Sequence, residues 1–133
     1  MTVLPARGDT IQIVSMKKKC DEVQLGFCPV EASIEMLSGK WKGRILWKLY
    51  NTPTMRFGEL RRALGTITEK MLSQQLRELE SLGLIKRNVY REVPPKVEYS
   101  LTDFGRSIGP ILDKFAEWGV ANLRKVKALA KSA

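Results

Sequence analysis

Three sets of residues in this sequence have the types and spacing for chemistry, and that chemistry is recognition and thiol reactivity. Lys70, Gln74, Arg77 and Ser81 recur at helical spacing, with Ser73 beside them, opposite an apolar stripe of Leu72, Leu76 and Leu79. Such a polar face suits base edges in a DNA major groove, because Gln pairs bidentately with adenine and Arg with guanine or a phosphate. Taken alone, a solvated helix face is the simpler reading, so the flanking residues decide. The second set is basic and has two parts: Lys86, Arg87, Arg91 and Lys96 follow in a β-prone stretch and can lie against phosphates, adding affinity with little sequence information, although Glu92 and Glu98 offset some of their charge. Between Lys40 and Arg62 stand seven basic residues against Glu59 alone, and Arg56, Arg61 and Arg62 flank the segment expected to cross the phosphate backbone. The third set is Cys28, just before Pro29. A helix N-terminus there stabilises thiolate, while a small buried apolar side chain is the other reading of the same cysteine.

Catalysis finds no comparable set. The chain has no histidine, which removes the commonest general base and the usual zinc constellations, and two cysteines are too few for a disulfide scaffold. Gly39-Lys40 lacks the rest of a phosphate loop, since Ile34 stands where the first glycine belongs and Trp41 where Ser or Thr would hold magnesium. Glu31 with Glu35, and Glu78 with Glu80, read as solvated helix faces. No enzyme, metal or cofactor is expected. A net charge of +9 and a pI near 9.8 suit a polyanionic partner, because neutralised phosphates release counterions. No apolar run approaches the roughly 20 residues that span a bilayer and no signal-peptide core opens the chain, so a cytoplasmic protein without a membrane partner is expected.

The elements that must position these residues follow from the hydrophobic period. Residues 1–24 show none and read as a flexible or partly strand-forming arm, carrying Cys20. Pro29 opens a helix to about residue 37; a second, over about 40–50, places Trp41, Ile45 and Leu49 on a core side. Residues 57–64 form a helix closed by Gly65, Ile67 plugs the following turn, and Thr68 caps a further helix that Gly83 stops; Thr68, at its tip, joins the DNA-facing set. Residues 84–90 and 96–101 are strands joined through 91–95, with Val97, Tyr99 and Leu101 alternating against Lys96, Glu98 and Ser100. Thr102 and Asp103 offer a cap for a last helix, which Gly109-Pro110 should kink or interrupt. There Ile108, Ile111, Phe115 and Trp118 recur with Leu112 beside them, a stripe too apolar to stay wet on a small domain. The fold class is mostly α with a small antiparallel β-hairpin (α+β), arranged as a winged helix-turn-helix.

The segments GKWKGRILWKL, RFGELRRAL, KMLSQQLRELESLGLIKR and VPPKVEYSLTDFG, with Pro110 and Trp118, resemble the HxlR-type family of bacterial winged-helix transcription regulators from Cys28 to about Gly119. The resemblance implies a small dimeric repressor or activator that binds double-stranded operator DNA. It also implies that an oxidant or electrophile acts as inducer through a cysteine at the start of the first conserved helix, the position of Cys28. A disulfide from Cys28 to Cys20 or to the other subunit is the expected stable product of oxidation. Dimerisation through Ile108, Ile111, Leu112, Phe115 and Trp118 belongs to the same expectation, giving a domain over 25–119 and a basic end over 120–133. Residues 1–27 exceed the family's usual lead, and Met16, before Lys17-Lys18-Lys19, is an alternative start. Two rival readings share the fold: a DNA binder in which Cys28 is only structural, and a winged-helix protein-interaction module.

Overall fold

A computed structural model describes residues 26–132, so the expected arm over residues 1–24, Cys20 included, lies outside the described residues. The chain divides into two units, Met1–Ser38 and Gly39–Ala133. In the first, helix α1 (Pro29–Met36) begins at the proline, whose missing N–H costs nothing in a first turn, and Cys28 is its N-cap residue.

The second unit is built around α2 (Lys42–Asn51), on which Ile45, Leu46 and Leu49 have no exposed surface. Burial of each such side chain contributes about 1.5–3 kcal/mol. The helix packs on α3 (Phe57–Leu64), on the sheet and on α6 (Gly109–Ala121). Polar ties fix these contacts: Arg44 Nη2 donates to the Leu64 carbonyl at 3.2 Å, and Trp47 Nε1 donates to Asp113 Oδ1 at 2.9 Å.

The turn from α3 into α4 (Glu69–Ser81) is closed by Ile67, which is buried. Thr68 caps α4 by accepting from the Met71 N–H at 3.1 Å, satisfying a donor that has no partner in the first turn. At the other end Gly83 adopts φ +77°, which lets its N–H reach the Glu80 carbonyl and the Leu84 N–H reach Leu79, both at 3.0 Å. Leu72, Leu76 and Leu79 form the buried stripe, as their spacing predicts.

Three strands, not two, form the sheet. Strands β2 (Ile85–Tyr90) and β3 (Lys96–Leu101) make the expected hairpin, with Ile85 opposite Leu101, and β1 (Met55–Arg56) pairs along the far side of β3 with Met55 opposite Tyr99. Placing β3 in the centre changes its expected alternation: Tyr99 and Leu101 are buried, but so is Ser100. The residues after β3 form a short α5 (Asp103–Arg106), capped by Thr102, before Gly109-Pro110 starts α6 as a separate helix. A final helix, α7 (Leu123–Ser132), follows. Among the described residues no helix is long and apolar enough to cross a membrane.

Candidate nucleic-acid interface

The candidate interface comprises α3, α4 and the β2–β3 hairpin. Because one side of α4 is committed to the core through Leu72, Leu76 and Leu79, the opposite side is forced outward: Thr68, Lys70, Gln74 and Arg77 are exposed and Ser73 is half-buried. The helix therefore presents donors and acceptors on a rigid frame, near an N-terminus whose dipole favours phosphate. Lys86, Arg87 and Arg91 are exposed on the hairpin, and Arg56 and Arg62 on the neighbouring elements.

Helix and wing meet at a cleft of about 360 Å³, with Ser73, Arg77 and Glu80 from α4, Arg87 and Tyr99 from the sheet, and Phe57 among its lining residues. The fold thus brings Ser73, Arg77 and Arg87 together across 14 positions of sequence. Two guanidinium groups on one open cleft can hold a phosphate oxygen bidentately.

Other members of the predicted set already have partners. Arg61 donates through Nη1 to Glu69 Oε1 at 3.0 Å and through Nε to the Ile67 carbonyl at 3.5 Å, so it clamps the turn between α3 and α4. Lys96 is half-buried, lies 2.8 Å from Glu98 Oε1, and sits 5.1 Å from the centre of the Tyr90 ring. The Glu98 hydrogen bond holds the Lys96 ammonium above its usual range, and the same bond holds the Glu98 carboxyl below its own. Lys96 thereby organises the wing. Trp41, expected in the core, is only half-buried, with Lys40 Nζ 4.9 Å and the Arg44 guanidinium 5.0 Å from its ring centre, so the ring serves cations as well as packing.

One element of the interface escapes a reading of sequence. Glu78, expected to be a solvated helix carboxylate, binds Lys42 Nζ at 2.5 Å and accepts from Gln74 Nε2 at 3.3 Å. Lys42 and Glu78 are 36 residues apart, and nothing in their local patterns links them.

The sequence-predicted apolar stripe divides by burial. Leu112 is buried and Ile108 half-buried, so both pack within the unit, whereas Ile111, Phe115 and Trp118 are 54%, 58% and 62% exposed. These three, with Lys114, border a shallow groove of about 370 Å³. On α1, Cys28 Sγ accepts from the Glu31 N–H at 3.5 Å, which sets the sulfur against the unpaired donors of the first turn, and Val30 and Ile34 are each 60% exposed. Among the described residues no group of three His, Cys, Asp or Glu side chains is arranged to hold a metal ion.

Residues 36–127 match the HxlR-like helix-turn-helix family. Over 95 residues the chain is 50% identical to the HTH-type transcriptional regulator YybR of Bacillus subtilis, covering 71% of this chain and 75% of that one. The solved structure of the redox regulator HypR in its reduced form superposes with a TM-score of 0.69 at 48% identity, covering 75% of this chain and 98% of HypR. The reduced form of the transcriptional regulator YodB from B. subtilis does so with a TM-score of 0.60 at 29% identity, covering 70% of this chain and 91% of YodB. The outward polar face of α4, the basic hairpin and these likenesses agree: the chain belongs to the HxlR-like helix-turn-helix family, whose members are transcriptional regulators and not enzymes.

Proposed function

We propose that the protein regulates transcription in the cytoplasm as a homodimer bound to a partly palindromic operator, with α4 of each subunit in a major groove and each wing against phosphates. The observation that carries this reading is the outward face of α4, where Lys70, Gln74 and Arg77 are exposed beside Arg87 of the wing. Gln74 and Arg77 are assigned to base edges, with Thr68, Lys70 and Ser73 around them. Arg56, Arg62, Lys86, Arg87 and Arg91 supply backbone contacts and field, whereas Arg61 and Lys96, held by Glu69 and Glu98, shape the turn and the wing. The dimer contact is assigned to the exposed apolar groove of α6. A binding selection from random duplexes tests this. The expected outcome is an inverted repeat with half-sites roughly 34–36 Å apart, or a multiple of that. A pool without a repeat, together with a salt-insensitive complex with another protein, would favour the interaction-module reading.

Cys28 is assigned as the switch. Its support is the N-cap position and hydrogen bond of its sulfur, together with the likeness to HypR, named a redox regulator, and to YodB, solved in reduced and diamide-treated forms. Oxidation or alkylation of Cys28 changes the start of α1, and this change is the proposed route to altered operator affinity. Treatment with a quinone or a disulfide stressor is expected to change affinity for the selected duplex in the parent and to leave Cys28→Ser unaffected. Unchanged affinity of the parent after verified modification of Cys28 would return that cysteine to a structural role.

A further inference from the structure

The carboxylate of Glu78 engages a different partner with each oxygen. Lys42 Nζ, on α2, donates to Oε2, and Gln74 Nε2, one turn earlier on α4, donates to Oε1. The Lys42 side chain is 12% exposed and that of Glu78 42%, so the carboxylate is anchored at its sheltered end and faces Gln74 at the surface. The hydrogen bond from Lys42, and after it that from Gln74, hold the Glu78 carboxyl below its ordinary range and therefore ionised at neutral pH.

An ionised carboxylate accepts hydrogen bonds and donates none, whereas a glutamine amide has one donating and one accepting end. Against Glu78, Gln74 has a single workable orientation: its NH₂ turned toward the carboxylate, its carbonyl and second N–H left for a ligand. Adenine presents an N6–H donor beside the N7 acceptor in the major groove, and guanine presents two acceptors, O6 and N7. The oriented amide matches the first pattern and not the second.

We infer that Glu78, anchored by Lys42, is a specificity-determining positioning residue that locks the Gln74 amide in the orientation that selects adenine over guanine. This rests on the operator-reading role proposed above. The lock makes a directional prediction. In Glu78→Gln, Lys42 can only donate and so takes the new carbonyl. The new NH₂ then faces Gln74, which turns its own carbonyl inward and its NH₂ outward. Outward NH₂ serves acceptors, and the preference moves toward guanine. In Glu78→Ala the amide is unconstrained and the preference flattens.

The test uses the full chain and the duplex that the parent selects, varied at the base pair whose preference Gln74→Ala erases. The readout is the ratio of affinities for adenine and guanine at that pair; the general gain from deleting a negative charge near phosphates cancels in it. Glu78→Ala is expected to lower the ratio roughly tenfold, the scale of one bidentate contact. Glu78→Gln, nearly isosteric and so protected against loss of the helix tie, is expected to carry it further toward guanine. In a Gln74→Ala background neither substitution changes it. An adenine preference unchanged in both Glu78 variants overturns the lock and leaves the operator reading standing. A parent that selects no duplex overturns the operator reading and the lock with it.

Discussion

At Gly105 an added Cβ would fall 1.9 Å from the carbonyl oxygen of Leu84, a backbone atom that cannot swing aside. That carbonyl also accepts from the Thr102 N–H at 3.1 Å, while the Thr102 hydroxyl accepts from the Gly105 N–H at 3.0 Å and donates to the Gly83 carbonyl at 2.6 Å. The end of α4, the start of β2 and the start of α5 are thus drawn together at one residue without a side chain. Gly105→Ala is expected to destabilise the protein by about 3 kcal/mol through forced backbone shifts, read as a lower midpoint in denaturant with an unchanged slope. A midpoint equal to the parent's would show that the close approach relaxes freely. Residues of the interface divide differently. Gln74→Ala should cost about 1–3 kcal/mol on the selected duplex and little on a scrambled one. Arg87→Ala should weaken both alike, as expected for a phosphate contact measured by competition titration. Equal losses on both duplexes for Gln74→Ala would remove Gln74 from the base-reading set.

Among the elements, α3 and α4 were legible because each carries a complete local signal, and the span of β3 was legible although its alternation was not. The stripe of Leu72, Leu76 and Leu79, the Thr68 cap and the Gly83 stop lie within one helix and its ends, and all three do what their types and spacing predict. Strand β1 was not legible: two residues carry no period, and Met55 becomes a strand residue only through its pairing with Tyr99, 44 positions away. The Lys42–Glu78 tie escaped for the same reason, being a contact between helices that neither helix announces. In α6 the period identified an apolar stripe but could not divide it between core and surface; packing against α2 claims Leu112 and leaves Phe115 and Trp118 exposed. That division sharpens the test of the dimer. About half of each exposed ring remains to be buried, worth about 1 kcal/mol per side chain, and a twofold interface counts each twice. Phe115→Glu with Trp118→Glu is therefore expected to weaken the dimer by at least about a thousandfold in sedimentation while a cooperative melting transition persists. A double variant that stays dimeric would move the interface away from α6.

For the molecule as a whole, a net charge of +9 supplies a field that draws any polyanion, while in the proposed reading the outward face of α4 tells one duplex from another. These two properties separate in one measurement, which also bears most directly on the claim that this regulator acts by occupying a sequence-specific operator. Affinity of the 133-residue chain is titrated for the selected duplex and for a scrambled duplex of the same composition, at salt concentrations between roughly 50 and 200 mM. Counterion release predicts that both affinities fall steeply, by about a thousandfold or more if several phosphates are neutralised per subunit. Base reading predicts that the selected duplex stays about a thousandfold or more ahead at physiological salt. Affinities that are flat in salt, or equal for the two duplexes, would contradict the account.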